Sequence, residues 1–226
     1  MDRRQALRNL GLGAGAMVAT PTVMSLLQSC KNEPDDTFTP VFVSAGEFHA
    51  LTQMVDIIIP SDETVPGAVD AGVHKFIDAF WANVTPTVQG KVWKEQYEPL
   101  QENIKSSFKL FADEFRMRYE KELEDGKPEE FDAILASYLK IPKEEQMERS
   151  LKMVDYYKAY TTDPATQPDK DAAIFSLIAG IRGMTLWGWK TSEEIGKNVL
   201  WYDPIPGQQK GCIPISEAGN GNAMAL

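Results

Sequence analysis

The chain has 226 residues with 33 acidic against 23 basic side chains, and the resulting net charge of −10 argues against nucleic acid as a partner. At 43% hydrophobic content it is long enough for one sizeable core and short enough to be one domain. Cys30 and Cys212 are its two cysteines, too few for a disulfide framework.

Arg3 and Arg4 stand before a weakly apolar stretch, Asn9 to Leu27, that contains Gly11, Gly13, Gly15 and Pro21. A membrane-spanning helix needs about 20 predominantly apolar residues in a row, so this stretch is not one. Leu27-Gln28-Ser29-Cys30 follows, with a leucine three residues before the cysteine and a small residue just before it, as in a lipobox. Taken alone, Arg3-Arg4 reads equally well as an ordinary basic terminus, and Cys30 as a buried or paired thiol. Their coincidence with a weak apolar segment of the right length reads as a twin-arginine (Tat) lipoprotein signal over residues 1–29. Cys30 is then the lipidated mature N-terminus. Its diacylglyceryl group supplies the two chains that stable attachment requires, at about 0.8 kcal/mol per buried methylene. The expected location is the periplasmic face of a membrane, inner or outer left open. Cleavage removes Asp2, Arg3, Arg4 and Arg8, making the mature chain still more acidic. Cys212 is then the last thiol, either buried or paired with another chain.

Residues 30–43, with Glu33, Pro34, Asp35 and Asp36, read as a polar tether. Residues 44–226 read as a single all-α domain, an irregular multi-helix bundle with a long Pro/Gly-rich arm from about residue 188. Ser44-Ala45-Gly46-Glu47 is a capping-box pattern, and Phe48, Leu51, Val55 and Ile58 recur at helical spacing until Pro60 stops the helix. Asp70 is the expected N-cap of a second helix with the stripe Val73, Phe76, Ile77, Phe80 and Trp81. Trp93 to Tyr119 continues a helical rhythm to Gly126, with a joint at Pro99, and the pattern predicts a long helical hairpin. Two amphipathic helices follow, one carrying Phe131, Ile134, Leu135 and Tyr138, the other Met147, Leu151, Val154 and Tyr157. Ala172 to Ile181 has no charge and predicts a helix buried all round, and Gly180 and Gly183 predict close helix approach.

The search for chemistry finds little. His49 and His74 sit singly in two predicted helices, outside any metal-ligand spacing. No dinucleotide glycine fingerprint, phosphate loop, nucleophile elbow or haem-attachment motif occurs. Asp56, Asp62, Glu63, Asp70 and Asp78 cluster in sequence, but their spacing matches no calcium loop, so capping and solvation are the expected roles. The tail is richer, with Trp187, Trp189, Trp201 and Tyr202 close together, then Pro204, Pro206 and Cys212. These rings either pack back on the core or anchor a partner.

Ile58-Ile59-Pro60-Ser61-Asp62, Pro66 to Val73, Phe76-Ile77-Asp78, Tyr202 to Gly207 and Gly211-Cys212 together resemble the gluconate 2-dehydrogenase subunit 3 family. The resemblance implies a small, cofactor-free, non-catalytic subunit of a large dehydrogenase of the glucose-methanol-choline (GMC) flavoprotein type, with FAD in that partner and a cytochrome c subunit as a further member. Its expected role is to escort the flavoprotein through Tat, stabilise it and tether it through Cys30, with Trp187, Trp189, Trp201, Tyr202, Pro204, Pro206 and Cys212 as the partner interface. The alternative is a stand-alone lipoprotein that binds a small ligand.

Overall fold

A computed structural model describes residues 38–83 and 94–201, together with 212, 214–217 and 221–223. Arg3, Arg4, Cys30, Tyr202, Pro204 and Pro206 lie outside the described residues. Pro40–Leu226 forms one unit, and its described residues hold seven α-helices and no strand beyond a single bridging residue at Trp201. The helices are α1 Ala45–Ile58, α2 Val73–Asn83, α3 Lys94–Tyr119, α4 Pro128–Leu139, α5 Lys143–Thr162, α6 Lys170–Thr191 and α7 Glu193–Asn198, with 3-10 turns at Leu123–Asp125 and Ile215–Glu217.

The entry to α1 is set by local chemistry. The Ser44 Oγ accepts from the Glu47 backbone N–H at 3.3 Å, and the Glu47 carboxylate accepts from the Ser44 N–H at 2.8 Å, so two otherwise orphaned donors are satisfied. Packing extends to residues before this cap. Val43 is buried, and Phe42 lies 5.9 Å from Trp81, so the expected tether already packs on α2 by these residues. The fully buried Asp78 of α2 holds that segment, accepting the backbone N–H groups of Val41, Phe42 and Val43 at 2.7, 3.0 and 3.0 Å.

The turn after Pro60 is equally specified. Asp62 accepts from the backbone of Thr64 and Val65, while Asp70, expected as an N-cap, instead accepts the Ser61 hydroxyl. The Ser61 Oγ in turn accepts from the Gly67 N–H at 2.9 Å. A Cβ on Gly67 would sit 2.5 Å from the Ser61 nitrogen, so this crossing admits only glycine. Helix α2 therefore starts at Val73, three residues beyond the expected cap.

The long helices meet around α6, which packs against α1 to α5 and α7. Ile174, Ile178 and Ile181 are fully buried there, facing a core that includes Leu51, Met54, Ile77, Phe108, Phe111 and Ile134. Both α2 and α3 pack on α6, and they also meet each other: the Gln101 amide donates to the Trp81 carbonyl at 2.7 Å, and the Trp81 ring lies 5.8 Å from Phe108. Pro99 lies inside α3, which is one helix through the expected joint. By length and mean hydropathy α6 is long and apolar enough to cross a bilayer, but half of its most apolar window is buried in the fold, which is what a core helix shows. At its start, Glu114 of α3 takes ion pairs from Arg118 at 2.5 Å and Lys170 at 2.6 Å. Burial works against the charged carboxylate, yet these two cations outweigh it and hold its pKa below the usual range.

Three readings of the sequence are corrected. The arm expected from about residue 188 is helical to Asn198, because α6 runs to Thr191 and Ser192 then caps α7. Gly180 and Gly183 do not mediate close helix approach, since a Cβ at either would meet nothing within 4 Å. On α5 the buried residues are Met153 and Tyr156, whereas Met147, Leu151, Val154 and Tyr157 are 62%, 54%, 46% and 38% exposed. The stripe with the best helical spacing on α5 faces out.

Two outcomes test this account. Asp78→Ala should cost about 3 kcal/mol by urea unfolding, because it strips the charged acceptor from three amides beside the core; an unchanged midpoint would refute the role. His74 is buried, has no partner for Nδ1, and has its pKa pushed down to about 4 by burial, with Lys75 adding to the effect. Folded His74 therefore stays neutral where an unfolded histidine, with a pKa near 6.5, takes up a proton, so stability should fall as pH drops from about 6.5 toward 4. His74→Phe should flatten that part of the stability profile, measured as urea midpoints at several pH values.

Candidate partner interface

The helical period sorts the tryptophans of α6. Trp187 points outward at 46% exposure and meets α2, with its ring 5.4 Å from Phe76 and 5.9 Å from Phe80. Phe76 is itself 37% exposed, so an aromatic cluster stands open to solvent. Gly188, one step on, is the contact point: a Cβ there would lie 3.1 Å from both Phe76 and Val73. Trp189, a further step round, turns inward, and its Nε1 donates to the Pro66 carbonyl at 2.9 Å, fixing the turn after Pro60 to the end of α6. Two rings grouped together in the sequence thus have opposite roles.

Trp201 is half-buried and its backbone N–H donates to the Ala223 carbonyl at 2.7 Å. Cys212 is a free, exposed thiol. Leu186, Gly183 and Gly180 extend the open face of α6 from Trp187 toward its middle. Arg182 and Lys190 lie on the same side, and neither has a carboxylate within 4 Å among the described residues.

Next to the cluster, a groove of about 280 Å³ lies between α2, α3, α5 and α6. Phe80, Trp81, Ile104 and Met184 form apolar walls, and Asn103, Ser107, Ser176 and the Tyr157 hydroxyl add polar groups. Those groups carry no nucleophile paired with a base. Among the described residues no three histidine, cysteine or acidic side chains converge as a metal site would. The His49 Nε2–H donates to the Gly126 carbonyl at 3.0 Å, and His74 packs on Phe48. The acidic residues around Pro60 are likewise separate, with Asp62, Asp70 and Asp78 each engaged by different partners.

Sequence reasoning found Trp187 but missed Phe76, Leu186 and the α5 stripe, because an apolar residue at helical spacing is by default assigned to the core. The available signal was surplus: α5 and α6 offer more apolar positions than one buried face uses. Trp189→Ala should cost about 3 kcal/mol in urea unfolding and Trp187→Ala about 1 kcal/mol; the reverse order would mean that the inward and outward assignments are exchanged.

Comparison with curated proteins and with solved structures finds no match. A family model described as gluconate 2-dehydrogenase subunit 3 matches residues 45–207, from the first turn of α1 to beyond Trp201. The matched span contains every helix, the turn that Trp189 ties down and the open aromatic cluster, and the chain therefore belongs to the gluconate 2-dehydrogenase subunit 3 family, as a small subunit of a dehydrogenase complex.

Proposed function

We propose that this chain is the non-catalytic small subunit that escorts a GMC-type flavoprotein sugar or polyol dehydrogenase across the membrane, stabilises it and tethers it. The FAD resides in the partner, and a cytochrome c subunit completes the complex. The observation that carries the reading is an apolar, aromatic face left open on a chain that belongs to a subunit family. The Arg3-Arg4 signal supports the escort on physical grounds: Tat carries folded proteins, and a flavoprotein acquires its cofactor while folding, so one signal serves both chains. Cys30 supports the tether.

The groove favours a second reading, a lipoprotein that binds a small ligand. Purification separates the two. The escort reading expects a flavin-containing partner to co-purify with the wild-type chain, with no dye reduction by the small subunit alone. It expects Arg3→Lys with Arg4→Lys to hold both proteins in the cytoplasm, and Cys30→Ala to release the complex from the membrane. Full export of the flavoprotein without this chain, or sugar-dependent activity of this chain by itself, would overturn it.

A further inference from the structure

We infer that the groove between α3, α5 and α6, with the outward stripe of α5 on one side and the Trp187 cluster on the other, is where the dehydrogenase subunit docks, and that the partner fills the groove with a polar-tipped aromatic side chain, tyrosine or tryptophan. This rests on the proposed function and gives it a surface.

Three connected features carry it. The stripe Met147, Leu151, Val154 and Tyr157 follows helical spacing yet stays exposed, with Tyr157 alone reaching α6 at Ser176, while the adjoining edge of α5 is buried through Met153 and Tyr156. Tyr157 belongs both to the stripe and to the groove, and Phe80 belongs both to the groove and to the Trp187 cluster, so the three form one continuous surface. In protein interfaces an aromatic anchor buried in a central pocket supplies most of the energy, and its surroundings exclude water.

The groove's polar groups specify the tip of the anchor. Asn103 and Ser107 are each only 7% exposed. The Tyr156 hydroxyl donates to the Asn103 Oδ1 at 2.6 Å, which leaves the Asn103 Nδ2 and the Ser107 Oγ without a partner among the described residues. A covered polar group without a hydrogen bond is costly, so an occupant that seals the groove has to bring one. A tyrosine hydroxyl accepts from the amide, and an indole N–H donates to the serine. A lipid chain offers neither, which sets a protein partner above a bilayer here.

Gly180 gives a clean test. It lines the groove, and nothing lies within 4 Å of an added Cβ, so Gly180→Leu occupies the space without meeting the core. Replacing a helical glycine also raises helix propensity, so the melting temperature should hold or rise. Affinity of the full mature chain for the purified flavoprotein should fall about tenfold or more with Gly180→Leu, and also with Leu151→Lys, while Gly180→Ala stays close to wild type. Independently of the complex, p-cresol, the tyrosine side chain as a free molecule, should shift the NMR signals of the Asn103 amide and the Trp81 indole in the wild type but not in Gly180→Leu. Wild-type affinity in both blocking variants overturns the docking site and leaves the escort role standing; failure of the wild-type chain to capture any flavoprotein overturns both. Loss of binding to phosphatidylglycerol vesicles in Gly180→Leu, with flavoprotein capture unchanged, would mean that the face covers lipid and would also overturn it. A lowered melting temperature in Gly180→Leu would leave the p-cresol shifts to decide, and no shift in the wild type counts against the site.

Discussion

The constraint on which the structure depends is that α6 has to be covered. Its first ten residues include Ala172, Ala173, Ile174, Phe175, Leu177 and Ile178, all buried, and no other helix is wide enough to cover them alone. Five helices are therefore arranged around one, and the chain order of the fold follows: α1 to α5 make a cradle, and α6 is the last long element to enter it. The small devices elsewhere serve that arrangement. Asp78 fixes the segment before α1 to α2, the crossing at Gly67 brings the end of α1 beside the start of α2, and Glu114 ties α3 to the first turn of α6. Asp78 and Glu114 act beside the core, where a hydrogen bond to a charged group is worth more than it would be in open water.

Past Ile181 the covering narrows to a strip that holds Thr185 and Gly188. Gly180 and Gly183 put no side chain on the outer face, Leu186 and Trp187 put large ones there, and Gly188 and Trp189 return to contact with α2 and the turn after Pro60. A single helix thus changes from core element to surface element along its length. The transition is made by the helical period, which rotates successive residues by about 100° and separates Trp187 from Trp189 by more than half a turn.

The legible part of the fold was the part governed by local chemistry. The Ser44 and Glu47 cap, the stop at Pro60 and the buried row Phe131, Ile134, Leu135 and Tyr138 all follow from rules that need no partner helix. The misread part was governed by what lies opposite. A glycine in a helix permits either close approach or an open groove, and only the neighbouring elements decide; at Gly180 the answer was the groove. The stripe of α5 has the spacing of a core face, but Met153 and Tyr156 occupy the core instead. Asp78 was read as a candidate for solvation or capping, and it does cap, but at an extended segment 35 to 37 residues away rather than at its own helix. No local rule reports a contact at that separation. Of the candidate interface, Trp187 was legible because exposed aromatics are conspicuous in any setting, while its partner Phe76 was hidden by a correct but incomplete assignment of α2 as amphipathic.

An acidic chain with an open apolar face has two opposing tendencies, and the combination is informative about when each matters. Net negative charge of this size makes copies repel one another and so opposes self-association through Leu151, Val154 and Trp187. The same repulsion would weaken capture by an acidic partner surface, unless the contact region were locally of the other sign. Arg182 and Lys190, one helical turn to either side of the exposed Leu186, are cations of that kind on the outer side of α6. Long-range charge then discourages the wrong encounter, a second copy of this chain, while short-range charge and the unfilled hydrogen bonds at Asn103 and Ser107 select the right one. Specificity of this kind needs no large buried area, because it is built as much from contacts that a second copy cannot make as from those that the partner can.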